Sequence, residues 1–151
     1  MGRSFEEFRP GDVIETEGCT LTESQIIDFA MRFDPQPFHI DAVAAAEGPF
    51  AGLIASGFHT LSLSFRLLRD TGVITGTSVG GSGGDELRWW KPVRPGDTLR
   101  VRAEVLECTP SRRGDRGTVR LRYETLNQHG EVVMSIILNH LIACRPPAPP
   151  A

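Results

Sequence analysis

Between Ser56 and Gly72 the chain reads Phe58-His59-Thr60-Leu61-Ser62-Leu63-Ser64-Phe65-Arg66-Leu67-Leu68, a helical pattern whose apolar residues go most of the way round. Ser56 is a candidate N-cap and Gly72 a candidate stop. A helix of this kind has to be buried, and its small Thr60, Ser62 and Ser64 let other backbone approach closely. Charge enters only at Arg66, Arg69 and Asp70, which puts the C-terminal end nearer water. After Gly72 helical spacing gives way to alternation. Leu99, Val101, Ala103 and Val105 alternate with Thr98, Arg100, Arg102 and Glu104, and Val119, Leu121 and Tyr123 with Thr118, Arg120, Arg122 and Glu124. These are two strands with one wet face each, joined by a turn over Pro110 to Gly117. Gln128-His129-Gly130 turns the chain into a third strand, Val132 to Ile142, which is apolar on both faces and so is central in the sheet or buried by a second copy. A further strand is expected over Asp85 to Val93, followed by a turn at Pro95-Gly96-Asp97.

Upstream of the buried helix, Asp12 to Cys19 reads as a short extended segment. Thr22-Glu23-Ser24-Gln25 has the spacing of a capping box, opening a helix with Ile26, Ile27, Phe29, Ala30 and Phe33 on its apolar face and Pro35 as its end. Asp34 to His39 is kept irregular by two prolines, and Asp41 caps a short helix that reaches Glu47. The predicted architecture is α+β, an antiparallel sheet wrapped around one central buried helix, which describes a hot-dog fold; a plain α+β sandwich is the alternative.

The chain has 151 residues, the length of one domain, placed here at 1–145 with a disordered Pro-rich tail at 146–151. Sixteen Lys and Arg against nineteen Asp and Glu give a net charge of −3, which argues against an electrostatic nucleic-acid binder. No segment has the ~18 consecutive apolar residues of a membrane span, and no membrane partner is expected. The three cysteines are widely spaced with no C-x-x-C, unlike a disulfide framework or zinc ribbon. A cytoplasmic protein with reduced thiols is expected.

The four histidines form no H-x-x-x-H, and no metal is expected. Gly80, Gly81, Gly83 and Gly84 lack the Gly-Lys-Ser/Thr of a phosphate loop and read as a turn or bulge, or else as a strand left bare for a ligand to pass. Arg112, Arg113 and Arg116 surround Asp115 and read as a solvated turn. Asp34 and His39 are the one close pair of carboxylate and imidazole outside the regular elements. Such a pair can take a proton from water and supply one to carbon near neutral pH. By itself it reads more readily as a turn aspartate and a satisfied histidine at a helix start.

Three separated stretches resolve that ambiguity: Phe33-Asp34-Pro35-Gln36-Pro37-Phe38-His39-Ile40-Asp41, Gly52-Leu53-Ile54-Ala55-Ser56-Gly57-Phe58-His59-Thr60, and Asp85 to Asp97 with Arg88-Trp89-Trp90-Lys91-Pro92-Val93-Arg94-Pro95-Gly96. In this order they resemble the MaoC-like acyl dehydratases, relatives of R-specific enoyl-CoA hydratases, from about Phe8 to Ala143. The resemblance implies a single hot-dog domain, a homodimer or higher oligomer, and a CoA thioester substrate with no cofactor. The family's D-x-N-P-x-H signature falls on Asp34, Pro37 and His39, with Gln36 where Asn is usual and Phe33 where a Gly commonly precedes the Asp. Neither departure is expected to touch the two catalytic side chains. By the same resemblance Asp34 and His39 activate water for addition to a trans-2-enoyl-CoA. Ser56 and Ser62 contact substrate, Ser62 in the acyl pocket. An enolate forms during the addition, and Gly57, at the start of the buried helix, is the candidate backbone donor to its oxygen. His59 has no assigned role. The rival readings are a hot-dog acyl-CoA thioesterase, whose central helix usually carries a carboxylate absent from Ser56 to Arg69, and a non-catalytic acyl-CoA-binding module.

Overall fold

In a computed structural model, residues 1–146 are described. A short 3-10 turn (Phe5–Glu7) precedes β1 (Val13–Glu15), β2 (Cys19–Thr20), α1 (Glu23–Phe33), α2 (Pro37–Ile40), α3 (Ala42–Glu47), α4 (Gly57–Asp70), β3 (Ser78–Trp89), β4 (Thr98–Pro110), β5 (Arg116–Leu126) and β6 (Val132–Ala143). The strands form an antiparallel sheet in the order β1-β4-β5-β6-β3, with β2 also on β4. This is the hot-dog arrangement expected from the alternation.

Register decides which side chains meet the helix. Ala103 pairs with Tyr123 and Tyr123 with Ile136, while Val105 pairs with Leu121 and Leu121 with Leu138. Directly paired residues share a face. One continuous apolar face results, in one core with Leu63, Leu67 and Leu68 of α4. Ser64 Oγ and Thr125 Oγ1, 2.6 Å apart, add a buried polar tie between helix and sheet.

The local signals behave as their chemistry requires. Thr22 Oγ1 accepts from Gln25 N–H at 3.2 Å and Gln25 Oε1 accepts from Thr22 N–H at 3.0 Å, closing the capping box of α1. Asp41 Oδ1 accepts from Val43 and Ala44 N–H, both at 3.0 Å, and caps α3. Gly72, at φ +79°, lies just past the end of α4.

Three expectations need correction, those for the burial of α4, the bounds of β3 and the backbone at His39. The helix α4 is buried along one face only: Thr60, Leu63, Ser64, Leu67 and Leu68 are covered, whereas Phe58, Ser62 and Phe65 are exposed in a single chain. The glycine run lies inside β3, which begins at Ser78 and ends at Trp89 instead of spanning Asp85 to Val93. Register slips at Ser78/Gly80, Gly81/Gly83 and Asp85/Arg88, with φ of +141° at Gly80 and +149° at Gly83, bulge the strand. A Cβ on Gly84 would lie 2.9 Å from the Leu138 side chain, so bare backbone is what brings β3 up to β6.

The apolar strand β6 is interior, between β5 and β3, which is the central placement expected of it. Trp90 and Lys91 N–H donate to Val133 O at 2.8 and 3.3 Å, and Val133 is buried. The long unpaired edge is β3, exposed along nearly its whole length. Finally, Pro37 starts the one-turn helix α2, so His39 sits in a helix and not in irregular chain.

Arg145 N–H donates to the Glu6 carboxylate at 3.1 Å, and the expected tail lies outside the described residues from 147 onward. Among the described residues no helix is long and apolar enough to cross a membrane.

Candidate active site

The end of α1 and the start of α4 meet at one carboxylate. Asp34 closes α1, its N–H donating to Ala30 O at 2.9 Å, and Pro35 blocks further helix. Pro37 then opens α2, which delivers His39 into the interior with 4% of its surface exposed. His39 Nδ1 lies 2.7 Å from Ile54 O. A carbonyl only accepts, so Nδ1 carries the proton and Nε2 is the nitrogen free to exchange one. Nε2 faces Asp34 Oδ2 at 3.2 Å.

Asp34 is held from both sides. Ser56 Oγ donates to Oδ2 and Gln36 Nε2 donates to Oδ1, each at 2.7 Å. Burial pushes the carboxyl up, but the hydrogen bonds from Gln36 and Ser56, with the charge and hydrogen bond of His39, outweigh it and hold Asp34 below its usual range. Gln36 is therefore a direct contact of Asp34 that the sequence did not reveal, and the departure from Asn does reach one of the two candidate side chains. Phe33, the other departure, is largely exposed and packs against Phe29 at 5.1 Å.

Ser56 is fully buried and works twice, since its Oγ also accepts from Phe58 N–H at 3.3 Å as the cap of α4. Gly57 follows as the first helical residue, and its N–H has no partner among the described protein groups. Asp34, His39 and Gly57 line one cleft of about 440 Å³, walled by Phe50, Phe58 and Trp89. Ile54, Ala55 and Val93, at its inner wall, are buried.

The structure thus brings Asp34, His39, Ser56 and Gly57 together. Ser62 is not with them: it lies on the exposed face of α4, donating to Phe58 O at 2.8 Å, outside the cleft of the same chain. His59 lines a separate cleft of about 320 Å³ with Arg32 and Arg66. Its ring stacks on Phe29 at 4.6 Å and burial lowers its pKa. Among the described residues, no group of three or more His, Cys, Asp or Glu side chains is placed to hold a metal ion.

With this geometry in view, comparisons with known proteins identify the relatives. The MaoC like domain matches residues 5–127. The crystal structure of the MaoC-like dehydratase from Rhodospirillum rubrum superposes with a TM-score of 0.85 at 39% identity, covering 96% of this chain and 99% of that one. The uncharacterised protein YdeM of Bacillus subtilis is 36% identical over 82% of this chain and 87% of its own length. The 3-hydroxybutyryl-CoA dehydratase of Methylorubrum extorquens is 32% identical over 72% of this chain and 68% of its own length. A family match that begins ahead of α1 and ends beyond β5, carried by a fold shared from end to end, means that the chain belongs to the MaoC-like dehydratase family.

Proposed function

We propose that the protein hydrates a trans-2-enoyl-CoA to the (R)-3-hydroxyacyl-CoA, and catalyses the reverse dehydration, with Asp34 and His39 as the reacting pair. The observation that carries this reading is an Asp34 carboxylate and a His39 Nε2 that meet at 3.2 Å in the floor of a mostly apolar cleft. In hydration, a water held between Oδ2 and Nε2 gives its oxygen to C3 of the enoyl group and one proton to the pair. The π electrons move into the thioester as an enolate. A proton from the pair then reaches C2 on the same face, and the C=O re-forms. Nothing is oxidised or reduced, and the sum is one water added. The unpartnered Gly57 N–H faces the charge that appears on the thioester oxygen.

The bonds from Gln36 and Ser56 favour an ionised Asp34, which suits it to receive the water proton, and the Nδ1 bond to Ile54 leaves Nε2 to serve C2. A thioesterase reading has less support, because the acidic residue of α4 is Asp70 at its far end, paired with Arg66 at 3.2 Å. The test is disappearance of the enoyl band of crotonyl-CoA. Asp34→Asn and His39→Ala are each expected to slow it by about 10²- to 10⁴-fold, the usual worth of general acid–base catalysis; wild-type rates in both variants overturn the assignment.

The same reading includes a homodimer in the cytoplasm. The 12-residue edge strand β3, paired with β6 on one side and with no described strand on the other, and the exposed Phe58 and Phe65 of α4 are what a second copy of this chain would cover.

A further inference from the structure

Trp89 and Trp90 are successive residues where β3 leaves the sheet, and they have different fates. Trp90 Nε1 donates to Ser135 Oγ at 2.8 Å. Trp89 Nε1, on a ring that lines the cleft and stays half-exposed, makes no hydrogen bond to the described residues. Phe58 meets it edge-on with centroids 5.6 Å apart and planes at 73°. On the other side the indole edge carrying Nε1 lies against Gly57, where any Cβ would collide with Nε1, Cε2 and Cζ2. Trp89 is 47% exposed, so its N–H is a free donor on the cleft wall, held in place by the contacts with Phe58 and Gly57.

The place where that N–H is left over matters. Gly57 N–H is another donor of the cleft without a partner among the described residues, and the indole edge carrying Nε1 lies against Gly57 at the start of α4, in the cleft that Asp34 and His39 also line. The contact also accounts for a glycine at the first position of a helix, because only bare backbone admits the indole. The geometry points to Trp89 as a second oxyanion donor, its indole N–H joining the Gly57 N–H on the thioester oxygen as negative charge develops there. This rests on the hydratase reading for the reaction, but the binding of an oxyanion by the pair does not require turnover.

Two readouts separate the two claims. The first is crotonyl-CoA hydration by the wild type and by Trp89→Phe, which keeps an aromatic ring against Gly57 and removes the N–H. The variant is expected to lose kcat by about 10²-fold, the scale of one oxyanion donor, with KM within about twofold. The second is acetoacetyl-CoA bound without turnover, whose enolate has its own near-ultraviolet absorbance. The bound enolate fraction is expected to drop in Trp89→Phe at saturating ligand. Wild-type kcat and an unchanged enolate band in that variant would overturn the inference and leave Trp89 a packing residue. An enolate band in the wild type that Trp89→Phe loses, with no hydration of any enoyl-CoA by the wild type, would sustain the donor pair and defeat the hydratase reading.

Discussion

Ser56 Oγ stands 2.7 Å from Asp34 Oδ2, so the residue that caps the central helix also anchors the carboxylate at the end of the preceding long helix. The hydroxyl has one proton, which goes to Asp34, and its lone pairs accept from Phe58 N–H. The start of α4 and the carboxylate of Asp34 are tied together through this one side chain.

Ser56→Ala removes both bonds. Loss of the cap costs about 1 kcal/mol, read as a lower midpoint in urea. The second effect is specific to the site. Without one of the bonds that hold its pKa down, the Asp34 carboxyl rises, and the acid limb of the kcat/KM profile moves to higher pH. A variant that is less stable but keeps the wild-type profile would show that Ser56 acts only as a cap.

Gly57→Ala places a methyl group where the Trp89 indole lies, and the helix start or the indole must move. Overpacking of this kind costs about 1–3 kcal/mol. Trp89→Ala in the same chain removes the obstacle, so the double variant is expected to melt above Gly57→Ala alone while staying slow in hydration. Equal melting temperatures for the two would contradict the contact.

Acid stability depends on His140. Its Nε2 is 2.9 Å from Tyr123 OH, its ring stacks between Tyr123 and Phe65, and burial lowers its pKa to about 4. The unfolded chain takes up this proton near pH 6.5, whereas the folded chain resists until about 4. The unfolded state therefore binds the extra proton inside that window, and stability falls as pH drops through it, by about 3 kcal/mol at full effect. Urea midpoints at pH 7 and pH 4.5 measure the slope, and His140→Gln should flatten it. An unchanged slope in that variant would place the acid sensitivity elsewhere.

The exposed edge of β3 makes a prediction about assembly. The wild type should sediment as a dimer at micromolar concentration. Val79→Lys, which sets a charge on the free edge strand, should shift it toward monomer. A wild-type monomer would contradict the pairing.

How much of this the sequence disclosed follows from the range of each signal. The capping box at Thr22, the alternation in β4 and β5, the cap at Ser56 and the Asp34–His39 pair are local patterns, and all are present in the structure. The first half of β3 was hidden because glycine has no side chain to alternate, leaving only backbone bonds to β6 to define the strand. The single buried face of α4 was hidden for another reason. A helix that is apolar nearly all round does not say which side its own sheet covers. Gln36 on Asp34 depends on the bend imposed by Pro35 and Pro37, and Trp89 on Gly57 depends on β3 running back past the helix start. Neither is a spacing that a chain displays.

The most direct test is to mix the purified protein with a panel of trans-2-enoyl-CoA thioesters and follow the enoyl band and free thiol together. The account predicts loss of the enoyl band with no thiol released, abolished in Asp34→Asn and His39→Ala. Thiol release that keeps pace with the loss of substrate would identify a thioesterase, and tight acyl-CoA binding with both channels silent would identify a binding module; either contradicts the account.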